Sequence, residues 1–134
     1  MNNNYSPQLN IAVNAALLAG KIIMRFYSRL ENLKIMSKGH NDYVSEADQE
    51  AEKIITETLM KAYPQYKITA EESGSNNIKS EYEWFVDPLD GTTNFIHGIP
   101  QFAVSIGLCK EGVPILGVIY DPFKNELFCA EKGK

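Results

Sequence analysis

Two helical stretches followed by a run of consecutive strands predict an α+β fold, with two N-terminal helices packed on a mostly antiparallel sheet. Three observations carry that expectation. Apolar residues recur at helical spacing from Leu9 to Tyr27 and again from Ala51 to Thr58. The β-rich runs "FAVSIGLC" and "ILGVIY" are joined by "KEGVP", a short link with the glycine that a tight turn wants. The helices precede the strands instead of alternating with them, which disfavours a βαβ arrangement.

The first helix is expected over residues 7–29, opened by Ser6 as N-cap and Pro7 at the first helical position. Leu9, Val13, Ala16, Gly20, Ile23 and Tyr27 line one face of it. After the polar stretch "SKGHND", Ser37 to Asp42, Ser45 reads as the N-cap of the second helix, with Asp48 three residues on as a weak capping-box partner. Ala51, Ile54, Ile55 and Thr58 carry its inner face until Tyr63-Pro64 closes it. "YKIT" then reads as a strand, "AEESGSNN" as a polar loop, and "YEWFV" as a second strand. In "FAVSIGLC", Val104, Ile106 and Leu108 share a face, and Ala103, Ser105, Gly107 and Cys109 share the other. That division predicts helices packed closely on the small side. "ELFCAE" makes the last strand.

The chain of 134 residues is one domain's worth, long enough to bury a core. No apolar run suggests a membrane span, and Met1-Asn2-Asn3-Asn4-Tyr5 lacks the basic segment and apolar core of a signal peptide. A net charge of −4 leaves no basic footprint for nucleic acid. Cys109 and Cys129 have no metal-ligand spacing, and with no export signal they are expected as reduced thiols in the cytoplasm.

The chemistry concentrates in "EWFVDPLDGTTNFIHGIP", Glu83 to Pro100. An apolar strand ends on Asp87 and Asp90, fenced by Pro88 and Gly91. A turn alone accounts for that pattern, since Asp-Pro and Asp-Gly are ordinary turn formers. A hard-cation site accounts for it as well. Asp87 and Asp90 offer carboxylates, Leu89 a carbonyl and Thr92 a hydroxyl, while Glu71 and Glu72 follow a strand nearby. An EF-hand is excluded: aligning Gly91 with the loop glycine puts Val86 at the first ligand position and His97 where the bidentate glutamate belongs. Asp48 shares the apolar face of its helix, where a carboxylate is costly unless a cation or donors meet it, or unless it caps the helix start. His97 is expected as a loop hydrogen-bonder, and Trp84 and Phe85 as core residues of a buried strand.

"AEES" followed by "WFVDPLDGTTNFIHGIPQFAVSIGL" strongly resembles the inositol monophosphatase family of magnesium-dependent, lithium-sensitive phosphatases. Every fixed position of the family signature W-x-x-D-P-x-D-G-T-x-N-F-x-H-G-x-P is filled. "KGHNDYVSEADQEAEKII" is most similar to the bacterial extragenic-suppressor branch. The resemblance implies that residues 1–134 form the N-terminal, metal-binding half of the family's layered α/β sandwich, with the C-terminal half absent. It makes Glu71, Asp87 and the Leu89 carbonyl ligands of one Mg²⁺, and Asp90 a ligand of a second, bridged to the first by Asp87. Thr92 would orient or deprotonate the attacking water, supported by Asp48. The amides of Gly91 and Thr92 would receive the phosphate, beside Asp90, and Lys38 would match a mobile-loop lysine. The implied reaction is Mg²⁺-dependent hydrolysis of a phosphate monoester such as inositol monophosphate, by in-line attack of water between two metals. Family members carry a second half with a W-D-x-A-A-type motif whose aspartate completes the second metal site, and they commonly dimerise. The alternative is a non-enzymatic interaction protein, since bacterial relatives are linked to transcription and ribosome assembly.

Overall fold

The computed structural model describes residues 5–33 and 40–134. Helices α1 (Pro7–Leu33) and α2 (His40–Ala62) precede β1 (Lys67–Ala70), β2 (Gly74–Ser75) and β3 (Tyr82–Asp90). A short α3 (Thr92–Ile96) leads to β4 (Ala103–Lys110), β5 (Val113–Asp121) and β6 (Glu126–Glu131). The six strands form one sheet in the order β2-β1-β3-β4-β5-β6, antiparallel throughout except for the parallel β1–β3 pair. This is the α+β architecture that the order of elements predicts.

Ser6 caps α1 as expected: its Oγ accepts the Leu9 N–H at 3.2 Å. Glu131 on β6 accepts from the Ser6 amide and hydroxyl, which ties the start of α1 to the far edge of the sheet. Leu9, Val13, Ala16 and Ile23 are buried on the inner face of α1, and Ala47, Ala51, Ile55 and Leu59 on that of α2. By length and composition alone, Pro7–Leu30 is apolar enough to cross a membrane, contrary to the impression the sequence gives. Its apolar face is occupied by the domain core.

Helix α2 begins five residues before Ser45. The Ser45/Asp48 pattern therefore lies inside the helix, and Asp48, nine residues in, is no N-terminal cap. The sheet also presents the opposite face to the helices from the one predicted. Val104, Ile106 and Leu108 join Leu116, Val118 and Tyr120 against α1 and α2, because the large side chains remove the most apolar area from water. Close approach comes from the helix side instead, since a Cβ on Gly20 would lie 2.4 Å from the Tyr120 ring. Phe85 is likewise no core residue. Strand alternation buries Trp84 and Val86 and turns Phe85 to the other face. The polar loop after β1 contains the two-residue strand β2, folded back on Thr69 and Ala70. Between β4 and β5, Glu111 and Gly112 both have positive φ, 50° and 81°, as a type I′ hairpin requires. Cys109 and Cys129 are free thiols on β4 and β6.

The face of the sheet away from the helices leaves Phe85, Ile119 and Phe128 at 44%, 50% and 59% exposure. Aromatic and aliphatic side chains held open on a sheet invite pairing with another chain. The 134-residue polypeptide in isolation is expected to self-associate, and Phe128→Ser with Ile119→Ser to shift it toward monomer, by light scattering after size exclusion. A stable monomer before substitution would refute this.

Candidate metal centre

The two aspartates do not sit in a simple turn. β3 remains paired with β4 through Asp90, but Asp87 faces Ser105 and Asp90 faces Ala103, so three steps on one strand match two on the other. This bulge re-aims the end of β3, a common device beside functional sites. Gly91 follows with φ 94°, and a Cβ there would stand 2.7 Å from the Gln101 carbonyl oxygen, so both backbone conformation and space demand glycine. The Asp87 carboxylate accepts the Leu89 N–H at 3.3 Å, and the Thr92 hydroxyl donates to the Leu89 carbonyl at 3.0 Å. Leu89 is buried, and its backbone N–H and carbonyl are what it contributes to this polar corner.

The rest of the signature holds the corner in place. Asn94 donates to the Gln101 carbonyl at 2.8 Å, and His97 Nδ1 lies 2.8 Å from the Thr93 carbonyl, closing the short helix. Tyr27 of α1 donates to the Gly98 carbonyl at 2.7 Å and packs with Phe95 and Phe102. His97 is thus the loop hydrogen-bonder that the sequence predicts.

Glu71 arrives from the neighbouring strand. The parallel register sets Ala70 against Val86, and the Glu71 N–H continues the pairing to the Val86 carbonyl at 3.1 Å. That places Glu71 beside Asp87. The hydrogen bond between the two carboxyls pushes Glu71 up to about 7, aided by the Asp87 charge, by burial and by the charges of Glu72 and Asp90. Two carboxylates can share a hydrogen bond only if one of them holds a proton. Asp48, buried on α2, is also pushed up to about 7, first by burial and then by the charges of Glu72, Glu71, Asp87 and Glu52.

The structure therefore brings Glu71 and Asp87 into contact and sets Asp48 in the field of both, with Asp90 exposed at the end of β3. Among the described residues, no three His, Cys, Asp or Glu side chains stand close enough to form a ready-made metal cage. The donor set nonetheless fits a hard cation, because these carboxylates take up protons where a cation could neutralise them instead. Lys38 lies outside the described residues.

Glu52 escapes notice in the sequence. It lies one turn after Asp48, only 6% exposed, and its carboxylate accepts the Glu72 and Ser73 amides at 2.9 and 3.0 Å. The available signal is its i+4 spacing from Asp48, which puts a second acid on an apolar face. Beside Asp90, an open cleft of about 440 Å³ is lined by Gly91, Asn94, Gln101, Asp121 and Lys124, among others.

Comparison with known proteins agrees with this architecture. The sequence profile of the inositol monophosphatase family matches residues 4–134. The chain is 49% identical to the inositol-1-monophosphatase of Mesorhizobium japonicum and 46% identical to the Nus factor SuhB of Escherichia coli K12, each over 129 residues. Each alignment covers 96% of this chain and 48% of the relative, so the chain spans about half the length of the curated relatives it matches. The crystal structure of the extragenic suppressor protein suhB from Bartonella henselae superposes with a TM-score of 0.84 at 46% identity, over 96% of this chain and 49% of that one. A solved inositol monophosphatase from Anabaena gives a TM-score of 0.79 at 44% identity, over 93% of this chain and 44% of that one. With a profile match across nearly its whole length and the signature corner in place, the chain belongs to the inositol monophosphatase family.

Proposed function

We propose that these residues form the metal-binding half of a Mg²⁺-dependent phosphate monoesterase acting on inositol monophosphate or a close analogue, in the cytoplasm. One observation carries the proposal: Glu71 meets Asp87 in a corner where neighbouring acids push its carboxyl up to about 7, so that negative charge gathered there favours uptake of a proton or a cation. Glu71, Asp87 and the Leu89 carbonyl would hold one Mg²⁺, and Asp87 and Asp90 a second. Bound there, the ions would neutralise charge on the attacking and leaving oxygens of a phosphate ester. The chain's own residues do the rest. Thr92, whose hydroxyl donates to the Leu89 carbonyl, would orient or deprotonate the attacking water, and Asp48 would support it from α2. The amides of Gly91 and Thr92 would receive the phosphate, and the open cleft beside Asp90 would leave room for the alcohol portion of the substrate.

Titration calorimetry with Mg²⁺ or Mn²⁺ tests this. Asp87→Asn is expected to weaken binding by at least about a hundredfold, since losing even an outer-shell partner costs roughly ten- to a hundredfold. Equal binding by the mutant would remove the bridging role.

A second reading, a non-enzymatic interaction protein, draws on relatives named Nus factor SuhB and on the open apolar face around Ile119 and Phe128. It predicts that substitutions on that face, and not at Asp87, abolish the biological effect.

A further inference from the structure

We infer that Glu52 is a positioning residue for the metal centre, acting through Glu71; the inference rests on the metal-site reading above. Residues Glu71 to Ser75 are all exposed, so no apolar packing holds this segment in place. Its geometry is set by polar contacts instead. On the N-terminal side of the Glu71 Cα, the Glu71 N–H is bonded to the Val86 carbonyl of β3 at 3.1 Å. On the C-terminal side, the next N–H, that of Glu72, is bonded to a Glu52 oxygen at 2.9 Å, and the Ser73 N–H to the other oxygen at 3.0 Å. Both peptide planes flanking Glu71 are thereby pinned, one to the strand bearing Asp87 and one to the helix bearing Asp48. With its backbone dihedrals fixed, the Cα–Cβ bond of Glu71 has one direction, toward Asp87.

Glu52 is a costly way to build an ordinary turn. A carboxylate at 6% exposure is tolerable only with strong donors, and two consecutive backbone amides supply charge-assisted bonds of that kind. It also adds negative charge beside Asp48, the opposite of what stability alone would favour. A neutral acceptor or a glycine turn would close the β1–β2 connection without that burden. The choice makes sense if the turn must keep Glu71 beside Asp87 once their shared proton is lost and before a cation replaces it.

The test uses this chain, Mn²⁺ calorimetry and backbone amide exchange on four forms: parent, Glu52→Gln, Glu71→Gln and the double substitution. Gln keeps the volume but sets an NH₂ against one of the two amide donors. Glu52→Gln is expected to weaken Mn²⁺ binding by about ten- to a hundredfold, the range for outer-shell partners, and to speed exchange at Glu72 and Ser73. In the Glu71→Gln background the same change should alter binding less than about twofold, because a residue that acts through Glu71 has nothing left to position. An equal loss in both backgrounds, or unchanged binding in a folded Glu52→Gln protein, overturns the inference. Glu71→Gln binding like the parent would instead fault the metal-site reading, with the amide exchange still reporting whether the clamp exists. If Glu52→Gln does not fold, the parent alone decides: rapid exchange at Glu72 and Ser73 overturns the inference, and slow exchange that slows further with Mn²⁺ supports it.

Discussion

Between about pH 5 and pH 7 the affinity of this chain for Mg²⁺ or Mn²⁺ is expected to rise by roughly tenfold to a hundredfold per pH unit, flattening above about pH 8. Glu71 and Asp48 are each pushed up to about 7 in the metal-free protein, the first mainly by its bond to Asp87 and the second mainly by burial. A cation binding there must displace one or both protons, and each displaced proton contributes about one power of ten per pH unit. Stability moves the other way. Both groups bind protons more tightly folded than unfolded, so the metal-free fold loses stability as pH rises from the ordinary carboxylate range through about 7, and loses no more from them above that. For Asp48 the loss has a ceiling of about 4 kcal/mol at about 1.4 kcal/mol per pH unit, and relaxation around the carboxylate lowers it. Urea midpoints should therefore fall from pH 5 to pH 8 without metal and flatten with saturating Mg²⁺, by roughly the ligand-linkage amount. Asp48→Asn, which imitates the protonated form, should stabilise the metal-free protein above pH 7 and leave it little changed near pH 4. A flat stability profile together with pH-independent metal affinity would contradict the whole electrostatic account of the corner.

The corner was legible in the sequence because its parts are local. Asp87, Leu89, Asp90, Gly91 and Thr92 lie within six consecutive positions, and the residues that hold them, Phe95, His97 and Gly98, follow directly. Spacing alone could not separate a turn from a metal site, and it missed the bulge, which depends on the pairing partner β4. Glu71 and Asp48 were reachable from the resemblance, yet their contact with the corner depends on the parallel β1–β3 register and on how α2 crosses the sheet. Glu52 was out of reach for the same reason: its partners are backbone amides twenty residues away, and amides leave no mark in a sequence. The sequence points to a late start for the second helix because Ser45 and Asp48 imitate a capping box wherever they fall in a helix. The choice of sheet face failed because a small-residue face invites close helix packing, whereas burial of Val104, Ile106 and Leu108 removes more apolar surface from water.

These 134 residues by themselves are expected to hydrolyse inositol monophosphate at least about 10⁵-fold more slowly than a full-length relative, because two of the larger sources of rate are incomplete in them. The first is charge. Two Mg²⁺ ions would bring four positive charges, and Glu71, Asp87 and Asp90 would answer with three, so the ion that Asp90 would hold is expected to be the one short of a ligand. That ion would stabilise the leaving oxygen, where charge develops as the ester bond breaks. The second is positioning. The cleft beside Asp90 is open, with Asp121 and Lys124 on its wall, and a substrate held from one side keeps much of its freedom. Fixing a substrate fully is worth roughly 7–11 kcal/mol of barrier in favourable cases. The relatives are about twice as long as this chain, and the remainder of their length is the natural source of a further ligand and of an opposing wall. Phosphate release should therefore be near background for this chain alone, and should rise by orders of magnitude when it is mixed with the C-terminal half of the Mesorhizobium japonicum enzyme. Metal binding at Glu71 and Asp87 should survive without that partner, which separates the two contributions. Turnover by the 134-residue chain alone at the rate of a full-length relative would defeat the argument, and would require the second site to be completed from within, by Glu72 or by a second copy of the chain.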